Sequence, residues 1–490
     1  MDEERFEPRD ELSTVRITKA TLDDFKSVAH GEIVFSCGRR FVPAGTDSDI
    51  LGLYGQNGSG KTALIEALSI LHYILSGRRV PDEYAECIAQ DADFAHLSFE
   101  FDFQYPDGRI VKVGYEAKLA AEDKPDDEPM GYAASTMGIM APASGRRVHV
   151  FDEVIRMGGD IDGRRQQYRV CMDTTSDAAR PFGPESKRRL FIGNDAGVRD
   201  ELFVRRIQAA ERSQSFLFMD DVISFRDDTG IINRCGDVKS GYFEALRELK
   251  LFGSLYLFVI DSRFPALASA DILMPFFTRY GLVFLPLAGS RVVPAKLVEH
   301  LKREFEATST ILRELIPNLT VGLREMGPGL LKDGSEGVTV ELVSMRDGLE
   351  LPLRDESDGV KKIVSCLSLI DSAFNGKSVT VAIDEFDAGI FEYLLGELLQ
   401  IMQEYGRGQF IFTSHNLRPL EVLDSDFIWF TTTNPKNRYY HMKNIRESNN
   451  LRDVYFREIL MGEQDEELYE GGKRFRVVSA FRKAAPDYAL

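Results

Sequence analysis

The order of hydrophobic and polar positions predicts a chain of short strands and intervening helices. Three apolar, β-prone runs are typical of buried strands: 50–54, 379–385 and 409–413. Apolar residues at helical spacing follow the first run over 63–75, and a longer amphipathic pattern covers 295–315. Strict alternation at 97–103 indicates a half-buried strand. Together these elements predict an α/β protein.

The loop between the first buried run and its helix is rich in glycine and ends in Lys-Thr. This is the P-loop pattern, for which a strand before the loop and a helix after it are the expected context. The alternative is a glycine-rich surface turn, which would not require that context. The glycines of a P-loop let backbone N–H groups surround phosphate oxygens, and the helix directs its partly positive N-terminus at the same anion. The predicted nucleotide-binding residues are Gly55, Asn57, Gly58, Ser59, Gly60, Lys61 and Thr62.

Within this loop, Lys61 is predicted to reach the β- and γ-phosphates of ATP, and the Thr62 hydroxyl to hold Mg²⁺. The second buried run ends in the adjacent acids Asp384 and Glu385. Asp384 is expected to act through Mg²⁺ and its water shell, and Glu385 to activate the attacking water as a general base. An ordinary pair of strand-end acids is the alternative, which the upstream P-loop disfavours.

The third buried run is followed by Ser414, His415 and Asn416. A histidine at the end of such a strand can reach the γ-phosphate, whereas elsewhere it would more often be a plain core or surface residue. The order of P-loop, acid pair and histidine favours the functional interpretation of His415.

Composition is that of an ordinary soluble globular chain, with 43% hydrophobic and 28% charged residues among 490. No apolar run approaches the roughly 20 residues of a membrane span. The acidic start does not resemble a signal peptide, and five scattered cysteines without C-x-x-C spacing suggest reduced thiols. We therefore expect a cytoplasmic protein with no membrane partner.

The net charge of −18 argues against a surface coated for non-specific nucleic-acid binding. A local basic groove stays possible because basic clusters fall in the middle of the chain: Arg146-Arg147, Arg164-Arg165, Lys187-Arg188-Arg189 and Arg205-Arg206. A solvated surface with acidic neighbours is the favoured interpretation of these clusters, and nucleic-acid binding is the alternative.

Residues Ser357 to Lys362 read S-D-G-V-K-K and precede another apolar helical pattern. Taken alone they would be a turn and a helix cap. However, the order of P-loop, long insertion, S-x-G-x-K-K, Asp-Glu and Ser-His resembles the ABC class of P-loop ATPases. The start at Phe25-Lys26-Ser27 is similar to the SMC, RecF and OLD branch, which includes AAA ATPases of abortive-infection type. Asp358, where transporter cassettes carry glycine, makes a transporter the least fitting member.

The resemblance implies an ABC-type head, in which a mixed core sheet is flanked by helices and interrupted by a large α+β globular insertion. The expected divisions are 1–118 for the N-terminal half of the head, 119–290 for the insertion and 291–490 for the C-terminal half.

The resemblance also implies hydrolysis of ATP to ADP and phosphate by a homodimer or a higher homo-oligomer. Ser357 and Gly359 of one copy would touch the γ-phosphate held by the P-loop of another. Lys61, Glu385 and His415 would be catalytic, and Gln90 is the expected Mg²⁺-sensing glutamine.

A nucleotide-gated regulator in a bacterial defence system, controlling a separate nuclease or toxin, is the role that this branch implies. We expect no fused effector, because the tail after His415 is short. Two alternatives stay open: a RecF- or SMC-like DNA-repair ATPase, and a nucleotide-locked interaction scaffold with little turnover.

Overall fold

The computed structural model describes residues 13–35, 48–124, 133–134, 140–141, 145–175, 180–237, 240–261, 273–278, 281–287, 289–331, 334–442, 445, 450–461, 465–469 and 474–484. Within these ranges the chain forms the expected α/β fold, with two six-stranded sheets at its centre. None of the helices in this part of the chain is long and apolar enough to span a bilayer.

The strands are β1 Thr14–Phe25, β2 Val28–Val34, β3 Asp49–Tyr54, β4 Ala95–Gln104, β5 Ile110–Asp123, β6 Ala133–Ala134, β7 Met140–Ala141, β8 Arg146–Ile161, β9 Arg164–Asp173, β10 Leu257–Ile260, β11 Leu273–Thr278, β12 Gly281–Pro286, β13 Ser290–Pro294, β14 Leu319–Leu330, β15 Glu336–Arg346, β16 Leu349–Pro352, β17 Thr380–Ile383, β18 Gln409–Thr413, β19 Ile428–Thr431 and β20 Tyr439–Tyr440. The helices are α1 Lys61–Leu75, α2 Glu185–Ile192, α3 Ala196–Glu211, α4 Ile231–Cys235, α5 Gly241–Leu255, α6 Ala295–Leu315, α7 Asp358–Asn375, α8 Glu392–Tyr405, α9 Pro419–Val422, α10 Leu451–Met461 and α11 Arg474–Ala484.

The first central sheet has the order β10-β17-β18-β3-β19-β20 and is parallel except for the last pair. Every residue of β3, β17 and β18 is buried. Successive residues of β3 enter different cores: Leu51 and Leu53 join the one that contains α1 and α5, and Ile50 and Tyr54 join the one that contains α7 and α8. Burial on both faces explains why these runs are continuously apolar.

The second central sheet is antiparallel, with the order β2-β1-β4-β5-β8-β9. Strand β4 alternates between buried and half-buried residues along nearly its whole length, as its sequence predicts. The buried side chains of this sheet share a core with α1 and α5, so the sheet covers one face of the parallel sheet.

Parts of the segment 119–290 belong to both central sheets. Strand β5 continues through residue 118, β8 and β9 extend the antiparallel sheet, and β10 pairs with β17. The division of the chain at 118 and 290 stays a prediction, and these pairings show where the segment is joined to the head.

A smaller sheet precedes α7. Strands β13, β15 and β14 pair in that order and β16 also pairs with β15, while α6 packs against β14. Two further hairpins, β6–β7 and β11–β12, lie between residues 119 and 290.

Candidate active site

The carboxyl ends of β17, β18 and β3 lie side by side, because these three parallel strands are neighbours in the sheet. The loops that follow them enclose a cleft of about 720 Å³. Open α/β sheets bind ligands at this edge. The cleft is lined by Lys26, Ser27, Asn57, Gly58, Gly60, Lys61, Thr62, Ala63, Asp384, Glu385, Asp387, Ala388, Thr413 and His415.

The P-loop leads directly into α1. Gly60 has a φ of 92° and is the N-cap of the helix, in a left-handed conformation that a residue with a side chain would adopt only at a cost. No side chain caps this helix end, so the N–H groups of its first turn are oriented for an anion.

Lys61 is almost fully buried, and its Nζ donates to the carbonyl oxygens of Gly55 at 2.8 Å and Gln56 at 3.0 Å. Burial lowers the pKa of the Lys61 ammonium, and the negative charges of Asp384 and Glu385 act in the opposite direction. A buried cation beside a helix N-terminus fits the charge of a polyphosphate.

The other side of the P-loop is braced by protein. Ser59 donates to the carbonyl of Gln56 at 2.6 Å and contacts the hydroxyl of Thr431. Tyr439 donates its phenolic hydrogen to the carbonyl of Gly60 at 3.0 Å. Ser59 and Gly55, which were predicted to bind nucleotide, are not among the residues that line the cleft. The hydroxyl contacts of Ser59 stabilise the conformation of the loop.

One hydroxyl connects the two acids at the end of β17. Thr413 Oγ1 donates to Asp384 Oδ1 at 2.6 Å and accepts from the backbone N–H of Glu385 at 2.8 Å. The second carboxylate oxygen of Asp384, Oδ2, is buried without a hydrogen-bond partner. Sequence reasoning missed Thr413, although its signal was a polar residue at the end of the third apolar run.

A buried carboxylate oxygen without a donor is a fitting ligand for a cation, and Thr62 lines the same cleft. Mg²⁺ is usually bound by one or two protein oxygens together with substrate phosphates and water, so this donor set fits the ion. In the described ranges no three or more His, Cys, Asp or Glu side chains form a metal site of their own.

Gln90 does not reach this cleft. It is exposed in a turn after the 3₁₀-helix Asp82–Cys87, and the strand that follows it, β4, belongs to the antiparallel sheet. The geometry therefore gives no support to the Mg²⁺-sensing role predicted for Gln90.

His415 lines the same cleft as the acids. Its backbone N–H lies 3.2 Å from each carboxylate oxygen of Asp387, and the N–H of Asn416 donates to the same side chain at 2.9 Å. Asp387 thus fixes the loop that carries His415 to the segment after β17. Asp387, Lys26 and Ser27 also line the cleft, a position that the sequence pattern had not predicted for them.

Ser357 and Gly359 lie outside the cleft of their own chain. Ser357 is the N-cap of α7, accepts from Val360 N at 3.4 Å and is exposed. Gly359 lies against the segment after β17, since a Cβ atom on it would be 2.1 Å from the carbonyl oxygen of Gly389.

Most of the basic clusters have protein partners, as the favoured interpretation predicts. Ion pairs join Arg147 to Glu122 at 3.2 Å, Arg189 to Glu185 at 2.6 Å and Arg205 to Asp221 at 3.2 Å. Arg164 and Arg165 differ, because they are exposed at the start of the edge strand β9.

The P-loop, the parallel sheet and the acids beside them define a P-loop nucleotide-binding fold. A sequence profile of the family described as "AAA domain, putative AbiEii toxin, Type IV TA system" matches residues 50–131 and 184–421. The match covers more than half of the chain and includes the P-loop and Asp384-Glu385, so the chain belongs to this AAA family.

Solved structures with a similar course of the chain are SMC heads and RecF. The "SmcHead bound to the C-winged helix domain of ScpA" is 15% identical over 87% of this chain and 98% of that chain, with a TM-score of 0.36. The "SMC head domain from Thermotoga maritima" is 13% identical over 88% and 100%, with a TM-score of 0.31. The "recombination mediator protein RecF-ATPrS" is 10% identical over 87% and 98%, with a TM-score of 0.35. At these values the likeness identifies no function, and no curated protein matched the chain.

Proposed function

We propose that this protein binds ATP with Mg²⁺ in the cleft and hydrolyses it to ADP and phosphate. The observation that carries the proposal is the convergence of Lys61, Thr62, Asp384, Glu385 and His415 on one cleft at the carboxyl edge of the parallel sheet. Phosphoryl transfer needs this combination of a phosphate cradle, a metal site and a group that orients water.

Each residue has a separate role in the proposed reaction. Lys61 and the first turn of α1 hold the phosphates, while Thr62 and Asp384 hold Mg²⁺. The metal would neutralise charge that develops on the phosphate oxygens. Glu385 accepts a proton from the attacking water, and His415 contacts the terminal phosphate.

We further propose that the site is completed by a second copy of the chain. Ser357 and Gly359 are separated from their own cleft, and the N-terminus of α7 is exposed, which supports a role on another copy. In the proposed homodimer the same two surfaces meet twice, so each α7 faces the P-loop of its partner.

The biological role we propose is that of a nucleotide-gated regulator in bacterial defence, controlling a separate toxin or nuclease. Its support is the description of the family and not the geometry of the site. The Glu385→Gln variant separates ATP hydrolysis from control of the companion protein. If hydrolysis is lost but control is retained, ATP binding is the regulatory signal and hydrolysis only returns the protein to its initial state.

Titration calorimetry and phosphate release test the enzymatic proposal. Lys61→Ala is expected to weaken ATP binding, and Glu385→Gln to keep binding while lowering turnover by about 10²-fold or more. Glu336→Gln, an exposed glutamate at the start of β15, is the matched control and should behave like the wild type. Full turnover by Glu385→Gln would exclude the assigned base.

A further inference from the structure

The backbone of Glu385 has a conformation that glutamate rarely adopts. Its φ is 47°, in the left-handed region, where a side chain with a Cβ atom is strained. Residues held in this region at functional sites persist only when their surroundings fix them. The contacts of the Glu385 peptide groups therefore identify what holds its carboxylate in the cleft.

The N–H of Glu385 donates to Thr413, as described above, and its carbonyl oxygen accepts from two donors. One is the backbone N–H of Ala388 at 3.0 Å, within the same turn. The other is the ammonium group of Lys362, which reaches across from α7. Lys362 is only 5% exposed, and the Glu385 carbonyl is the hydrogen-bond acceptor that the structure shows for its Nζ.

A buried ammonium group is costly unless it is paired, so this contact is not incidental packing of a surface lysine. Burial lowers the pKa of Lys362, while the charges of Asp387, Glu385 and Asp384 act against that shift together with the thiol of Cys366. The positive charge thus lies among the acids of the site without lining the cleft.

Lys362 is attached to α7, whose first turn also touches the segment after β17. The absence of a side chain at Gly359 leaves room for the carbonyl group of Gly389, because a Cβ atom at position 359 would lie 2.1 Å from that carbonyl oxygen. Helix α7 is thus joined to the 384–389 segment at two points, by close backbone packing at Gly359 and by the Lys362 ammonium at Glu385.

We propose that Lys362 is a positioning residue for ATP hydrolysis, which holds the Glu385 peptide in its left-handed conformation and so directs the Glu385 carboxylate at the attacking water. This inference rests on the proposed function. Because Lys362 is carried by α7, a displacement of that helix would move the base. The arrangement therefore links the base of one site to the helix whose N-terminus is proposed to serve the other site.

The test replaces Lys362 with methionine, which keeps the length of the side chain and removes the donor. The matched control is Lys250→Met on α5, because Lys250 is also buried and donates to the backbone carbonyls of Phe218 at 2.8 Å and Ile223 at 2.6 Å, in addition to an ion pair with Asp220. Lys250 does not line the cleft. Both variants should unfold at lower temperature than the wild type, since each loses a buried ionic hydrogen bond.

Turnover distinguishes the two variants. Lys362→Met should lower kcat by about 10²-fold, the size expected when a reacting group is displaced by about 1 Å, with the Kd for ATP within about twofold of the wild type. Lys250→Met should leave kcat of the folded protein within about twofold. In a Glu385→Gln background, Lys362→Met should cause no further loss, because Lys362 acts through Glu385.

A kcat of Lys362→Met equal to that of the wild type would overturn the inference, and so would the same fold-loss in the Glu385→Gln background. If the methionine variant does not fold, Lys362→Gln serves as the second variant, because it retains an N–H donor on a shorter side chain. It should lose turnover without losing ATP binding. Equal losses of turnover and of ATP affinity would contradict the inference. A wild type that binds ATP without hydrolysing it would instead refute the proposed function itself.

Discussion

Replacing Thr413 with valine would remove one hydroxyl group on which two residues of the cleft depend. Valine has nearly the same shape and also favours strands, so β18 and its packing should be preserved. What disappears is the donor to Asp384 Oδ1, at 2.6 Å, and the acceptor of the Glu385 N–H, at 2.8 Å.

The expected loss of stability follows from these two contacts. A hydrogen bond to a charged group contributes about 1.5–3 kcal/mol, and a buried N–H left without an acceptor costs about 1–3 kcal/mol. Asp384 is 5% exposed and its Oδ2 already lacks a partner, so water does not readily replace the lost donor. We expect Thr413→Val to lower the free energy of unfolding by about 3–5 kcal/mol.

Urea denaturation followed by tryptophan fluorescence measures this change. Trp429 is the single tryptophan and lies on β19, in the same sheet as β17 and β18, so it reports on the unit that is perturbed. Thr413→Ser is the control, because it keeps the hydroxyl and removes one methyl group, a loss of about 1 kcal/mol. A valine variant within about 0.5 kcal/mol of the wild type would refute the reasoning, since surface substitutions fall in that range.

Three further predictions concern other parts of the molecule. Gly359→Ala places a methyl group against the Gly389 carbonyl, so we expect the free energy of unfolding to fall by about 1–3 kcal/mol and turnover to decrease. An unchanged melting temperature would show that α7 does not pack there. Burial raises the pKa of Glu248 to about 7, so its neutral form stabilises the fold at acidic pH and that contribution is lost as pH rises from about 4.5 to above 7. Relative to Glu248→Gln, the wild type should lose about 3 kcal/mol over that window in pH-dependent denaturation, and a constant difference would contradict the assignment. Finally, Arg164→Glu with Arg165→Glu should leave ATP turnover unchanged, and salt-dependent binding of duplex DNA that these changes abolish would favour the repair function instead.

Most of the predicted site residues that line the cleft lie on contiguous strand–loop–helix segments. Gly55 to Thr62, Asp384 and Glu385 could be located because the apolar run, the turn and the helix follow one another in the chain. Burial of β3, β17 and β18 on both faces makes such runs visible without knowledge of their partners.

Features that depend on pairing between distant segments could not be predicted in the same way. The membership of β8, β9 and β10 in the two central sheets is set by partners far away in sequence. The structure does not support the role predicted for Gln90, because the strand that follows it, β4, belongs to the antiparallel sheet. The edge position beside β17 in the parallel sheet is occupied by β10 instead. The hydrogen bonds of Thr413 and the contact of Lys362 with Glu385 likewise join separate elements.

The most direct test of the account is a mixing experiment between two inactive variants. Lys61→Ala disables the P-loop, and Ser357→Arg blocks the exposed end of α7. If each site uses the P-loop of one copy and Ser357 of the other, a mixed dimer contains one intact site, and phosphate release should recover to about a quarter of the wild-type rate in an equal mixture. No recovery, after exchange of subunits has been demonstrated, or an active Ser357→Arg variant on its own, would contradict the claim that a second copy completes the site.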